Sequence, residues 1–269
     1  MVALKAEFQR ELIIYRRYLF SSVSDLALTI LMFMGIFWGS NSISKGIIGQ
    51  SLSALIIGFT LWTTIQNTVS MLGSNTMNNA KSGILQQLYL MPISSEKLFF
   101  NRSMVNITIS LGQSIIVCLA LMLFTGQSIN FTIMVIWPTI FSLVTLFGLG
   151  YLIISLVLRF KRIGSFLAIC QYLYLGILLT QFEKADLLVK NMANFLPLVP
   201  MVSWMRLIIS GSAYNFKYYL SFSAFNSIFW LLLGLFIFEK VNKAVKKQGS
   251  LSISFIKISS CIQLVLDVD

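Results

Sequence analysis

Apolar residues run in long blocks along this chain, and charges are confined to the gaps between them. Six blocks approach the ~20 residues a helix needs to cross a hydrocarbon layer of ~30 Å: Ser21–Trp38, Leu52–Leu72, Val105–Phe124, Phe131–Leu158, Gly164–Gln181 and Tyr218–Phe238. The fourth is long enough to tilt, or to begin as an interfacial segment ahead of Pro138. The second is the least apolar, because Thr63, Thr64, Gln66, Asn67 and Thr68 crowd its second half. Those groups are expected to face other helices or a water-filled path and not lipid. Ahead of the first block, Leu4, Phe8, Leu12, Tyr15 and Leu19 recur every three or four residues, while Lys5, Gln9, Arg10, Arg16 and Arg17 fall mostly elsewhere. That spacing predicts an amphipathic N-terminal helix lying in the membrane interface. The pattern as a whole predicts an all-α membrane protein, a six-helix transmembrane bundle.

Composition agrees. Hydrophobic residues make up 57% of the chain and charged residues 11%, against about a quarter charged in a soluble domain. The mean hydropathy is +0.84. A net charge of +11 would point to nucleic acid in a soluble protein, but the positions of the charges say otherwise. Assigned to alternate sides of six spans, one side holds fifteen basic residues: Lys5, Arg10, Arg16, Arg17, Lys81, Lys97, Arg102, Arg159, Lys161, Arg162, Lys240, Lys243, Lys246, Lys247 and Lys257. The other side holds five: Lys45, Lys184, Lys190, Arg206 and Lys217. Such a bias places both termini in the cytoplasm and accounts for the charge without a nucleic-acid partner.

Two gaps are more than linkers. The connection Gly73–Arg102 contains Gly83, Ile84, Leu85, Gln86, Gln87 and Leu88, then Pro92. Ile84, Leu85 and Leu88 form a short apolar helical face that Pro92 stops. A face of that kind wants a partner surface, or the base of the bundle, to cover it. The connection Phe182–Lys217 carries Pro197 and Pro200, an apolar stretch with Trp204 and Arg206, and a closing Gly211. This predicts a broken, partly inserted outer hairpin, too short to cross, with Trp204 and Arg206 at headgroup level. Residues 1–251 then form the transmembrane domain, and 252–269 a tail whose alternating pattern yields no physical account.

Candidate chemistry is sparse. The chain has no histidine, and Cys118, Cys170 and Cys261 are too far apart for a metal or redox motif. No catalytic or metal-ligating set emerges. No phosphate-cradling GxxxxGK[ST] occurs, so any ATP and Mg would be held by another subunit. Asp25 is the only carboxylate inside the six blocks. It is expected in the interface beside Arg16 or Arg17, the alternative being an ion or proton site. Gly35 and Gly39 form one GxxxG spacing that allows close helix contact.

Three motifs meet in one family. Gly83–Leu88 followed by Met91-Pro92-Ile93-Ser94 resembles the Gly-Thr-Leu-Glu…Thr-Pro-Val/Ile-Ser segment of ABC-2 type exporter permeases. Pro200 through Arg206 to Gly211 resembles that family's outer Asn-Pro…Arg…Gly segment, and Lys247-Gln248-Gly249-Ser250-Leu251 its basic Gly-Ser/Thr-Leu ending. Gln86 stands where the family often has Glu, and Lys81-Ser82 where Arg-Glu is common. The resemblance implies the transmembrane subunit of a bacterial exporter in the cell membrane. It further implies a cytoplasmic ABC ATPase docking on Gly83–Pro92, and a second permease completing a homodimer or heterodimer. An ion-coupled secondary transporter is the competing reading, served by Asp25 alone. The few charges within the blocks favour an apolar or amphiphilic cargo over a bare ion.

Overall fold

A computed structural model of the protein describes residues 2–43, 52–82, 95–127, 129, 131–160 and 163–248. The expected coupling segment Gly83–Pro92 and the tail 252–269 lie outside these residues. Among the described residues every regular element is a helix, as a hydrocarbon solvent demands of a chain that must satisfy its own backbone. They run α1 (Val2–Arg17), α2 (Leu19–Ile43), α3 (Leu52–Lys81), α4 (Ser95–Thr125), a single 3₁₀ turn (Ile133–Val135) leading into α5 (Ile136–Phe160), α6 (Gly164–Leu179), a second 3₁₀ turn (Phe182–Lys184), α7 (Leu187–Ala193), α8 (Val199–Ile209) and α9 (Phe216–Gln248).

Among the described residues, five helical stretches are long and apolar enough to cross a membrane: Leu19–Trp38, Leu52–Ala80, Lys97–Thr125, Ile133–Phe160 and Phe216–Val245. The expected sixth, α6, has 16 helical residues, about 24 Å at 1.5 Å per residue. It ends at Thr180, whose backbone is extended (φ −68°, ψ 137°).

α3 is the hub, packed against α4, α5, α6 and α8. Two thirds of its apolar window is buried, against 6% for α2, so α2 stands at the periphery with Phe20, Val23, Leu28, Leu31 and Trp38 exposed. The polar half of α3 turns inward as its composition required. Thr63, Thr64 and Thr68 are buried, and Thr64 donates to Ser114 of α4 at 2.8 Å. Trp62 donates its ring N–H to the Gln171 carbonyl of α6 at 2.8 Å, and its ring continues an aromatic row through Phe59 to Phe33, the one buried contact α2 supplies to this row.

The most extensive interface joins α5 to α9. Gly148 and Gly234 make it possible. A Cβ on Gly148 would collide with the Trp230 carbonyl, and one on Gly234 with the carbonyl of Gly148. The two backbones touch directly, which only glycine permits. The Gly35 of the GxxxG spacing, by contrast, has open space where a Cβ would lie; α2 does not use it for close packing among the described residues.

Candidate functional site: a guanidinium wedge and a broken hairpin

The segment between α6 and α9 is a helix–break–helix. α7 ends at Ala193, the chain passes through Asn194–Leu198, and α8 begins at Val199 with Pro200 in its first turn, where a missing N–H costs nothing. Leu198 is fully buried yet sits at φ +65°, a left-handed conformation uncommon for a branched side chain. The break survives because neighbouring helices satisfy its carbonyls. Asn226 of α9 donates to the carbonyls of Asn194 and Leu196 at 2.8 and 2.9 Å. Trp230 donates to the Phe195 carbonyl at 3.1 Å, and the Tyr174 hydroxyl donates to the carbonyl of Pro197. At the far end Gly211 (φ +66°) closes α8. Its N–H donates to Ile208 and that of Ser212 to Leu207, both at 3.2 Å, a Schellman closure.

Pro197, Pro200, Trp204 and Arg206 are all buried, and Gly211 is exposed. The sequence reading put Trp204 and Arg206 at headgroup level; the structure turns both into protein. Trp204 is fully buried, edge-on to Phe216 and stacked near Tyr219. Arg206 is 3% exposed and acts as a wedge between three helices. Its Nε donates to the Ala54 carbonyl in the first turn of α3 at 3.1 Å. Nη1 donates to Thr180 at 2.9 Å and Nη2 to Leu178 at 2.6 Å. These last two are carbonyls at the end of α6, which have no partner within their own helix and sit at its negative pole. The carboxylate of Glu183, itself buried, lies 3.7 Å from Nη1. The fork geometry of guanidinium allows one group to serve all of them.

Gly58 supplies the seat. A Cβ there would overlap Nη2 of Arg206 and lie 2.8 Å from the Leu178 carbonyl. Gly58, Glu183, Tyr174 and Asn226 were not singled out from the sequence. Asn226 alone carried a legible signal, a polar residue in the middle of the last apolar block.

A second polar locus lies toward the other end of α3, where α1 runs beside α4. Glu7 accepts from Arg10 of its own helix at 3.1 Å and from Arg102 of α4 at 3.2 Å. Gln113 donates to the Tyr15 hydroxyl at 2.5 Å. Thus α1 meets the bundle through Glu7 and Tyr15, leaving Leu4, Phe8, Leu12 and Ile13 exposed. Glu11 is 6% exposed and shares a small pocket with Asn75 and Asn106. Burial pushes its carboxyl above the ordinary range; Arg10 and Arg102 pull it back, while Glu7 adds to the rise. The Oδ1 of Asn106 in the same pocket has no hydrogen-bond partner among the described residues.

Asp25 makes no ion pair with Arg16 or Arg17; it lies exposed on α2, and its carbonyl accepts from Thr29 at 2.8 Å. Among the described residues there is no group of three or more carboxylate or thiol side chains placed to hold a metal ion. No protein-family model matches the chain, and no curated protein matches it.

Proposed function

We propose that this chain is the membrane subunit of an ATP-driven exporter of the ABC-2 type. One observation supports the reading: the Gly-closed helix–break–helix just before the last long helix falls on Pro200–Gly211, the second of the three sequence resemblances. On this reading α6, extended by Thr180 and Gln181, completes a six-span bundle. The fifteen-to-five division of basic residues sets both termini in the cytoplasm of a bacterial cell. The α7–α8 hairpin then enters the bilayer from the outer side without crossing it.

The connection carrying Gly83, Ile84, Leu85, Gln86, Gln87, Leu88 and Pro92 faces the cytoplasm and docks a separate ATPase, which holds ATP and Mg. Closure of that ATPase pushes on the connection and rocks the bundle against a second permease, identical or related. An apolar or amphiphilic cargo moves between the two copies. The test is a search of the neighbouring reading frames for an ABC ATPase, then its co-expression with this chain, pull-down and ATP-dependent uptake into inverted vesicles. Leu85→Asp and Leu88→Asp are expected to abolish both. Full transport by these variants, or a wild-type chain that captures no ATPase, overturns the reading.

A further inference from the structure

The side of the bundle holds a half-open cavity of about 470 Å³ between α3, α4, α5 and α8, within the range of pockets that enclose a small ligand. Its lining is almost wholly hydrocarbon. Five hydroxyls reach it, and each already donates to a protein acceptor. Thr60 donates to the Ile56 carbonyl at 2.8 Å and Thr64 to Ser114 at 2.8 Å. Ser114 donates to Ser110 at 2.8 Å, Thr139 to Val135 at 2.8 Å and Ser142 to Pro138 at 2.7 Å. The cavity therefore has no hydroxyl donor left for a headgroup, a sugar or a peptide. Its apolar walls offer water few hydrogen-bond partners, and dispersion contacts favour filling it with hydrocarbon.

The exposed edge of the cavity is formed by Ile115 and Leu119 of α4 and by Phe131, each more than half exposed. Ile115 and Leu119 lie well inside a helix long enough to cross a membrane. The mouth thus opens sideways, toward acyl chains.

We propose that this cavity is a lipid site that takes one acyl chain of a bilayer phospholipid, entering between α4 and the start of α5. The chain fills the space against Thr60, Cys118 and Leu143, and its headgroup stays outside the cavity. The site needs only the membrane-spanning reading of the helices; it stands or falls independently of any ATPase.

The experiment places the full chain in phospholipid nanodiscs containing a phospholipid with a diazirine in its acyl chain, followed by irradiation and peptide mass spectrometry. Adducts at Ile115, Cys118 and Leu143 are expected to exceed those at lipid-exposed Leu173 and Leu28 about tenfold, the ratio for a site preference of about 1.4 kcal/mol. Leu143→Trp, which fills the cavity, should remove that excess and leave Leu173 labelled as before. Ile115→Trp narrows the mouth from an exposed position and should do the same without disturbing the core. Equal labelling of cavity and outer surface means ordinary surrounding lipid and overturns the proposal. Cross-links from the cavity to a second copy of the chain, in place of lipid, overturn it as well.

Discussion

Ala54 and Asn75 lie 21 residues apart on α3, about 30 Å along the helix, and the bundle is fastened differently at each. Near Ala54 a single buried guanidinium joins α3, α6 and α8 with a carboxylate at its side. Near Asn75 the helix α1 is joined to α4 by the Glu7–Arg102 ion pair, whose side chains are 18% and 12% exposed, with Arg10 of α1 on the same carboxylate. The chemistry of the groups is the same, Arg with Glu, but the surroundings are not. Where water is excluded, a charge without its partners is costly, so each partner becomes hard to remove. Where water reaches, the same pair contributes little. The first arrangement suits a part that stays fixed, and the second a helix that can shift along the surface.

Substitution of the wedge should give the largest effect. Arg206→Leu strands Glu183 and uncaps α6, and should cost about 3–5 kcal/mol of stability, read as a lower melting temperature in detergent micelles. Arg206→Lys keeps the charge without the fork and should fall between wild type and Leu. Adding Glu183→Leu to Arg206→Leu should recover part of the loss; no recovery would mean that the carbonyl contacts, not the stranded carboxylate, dominate. Next comes the seat: Gly58→Ala forces the guanidinium to move and should cost about 1–3 kcal/mol.

At the α1 end the informative variable is pH. The Glu11 carboxyl is raised above its ordinary value of 4.5 by burial, so the folded state binds its proton more tightly than the unfolded state does. Its contribution is fully present below 4.5 and is lost as pH rises through the raised value. Melting curves across that window should show stability falling with pH, and Glu11→Gln should flatten the slope. The smallest effect belongs to Glu7→Gln, which removes two partly exposed ion pairs and should change stability by under about 1 kcal/mol, vanishing at high salt.

Much of this was legible in the residue pattern, and the exceptions have physical causes. Helix existence followed from block length, and the inward face of α3 from its cluster of threonines. The closing role of Gly211 followed from its place after an apolar run. α6 falls short of its block because Thr180 and Gln181 lie outside the helix. Gly35 of the GxxxG meets no neighbour among the described residues, whereas the glycines that do meet, Gly148 and Gly234, lie on different helices that no local spacing connects. Arg206 was read at headgroup level, and its burial against protein was not legible because its partners lie up to 152 residues away. No local pattern encodes a guanidinium fitting over Gly58, since the match is one of shape between distant parts of the chain. The same distance hid Glu183, which looks like any loop acid until Arg206 is brought beside it.

The wedge also sets an order of manufacture. Ala54 leaves the ribosome 152 residues before Arg206, an interval of about 8–30 s at ordinary elongation rates. For that time the notch at Gly58 stands open, while the carbonyls ending α6, made 26 and 28 residues before Arg206, go without their cap only for the last ~1–6 s. The early helices wait in the membrane for a late-made part, and a chain broken off before residue 206 carries the keyhole without its key. Quality control that recognises loosely packed intermediates would have its clearest view of this protein in those seconds.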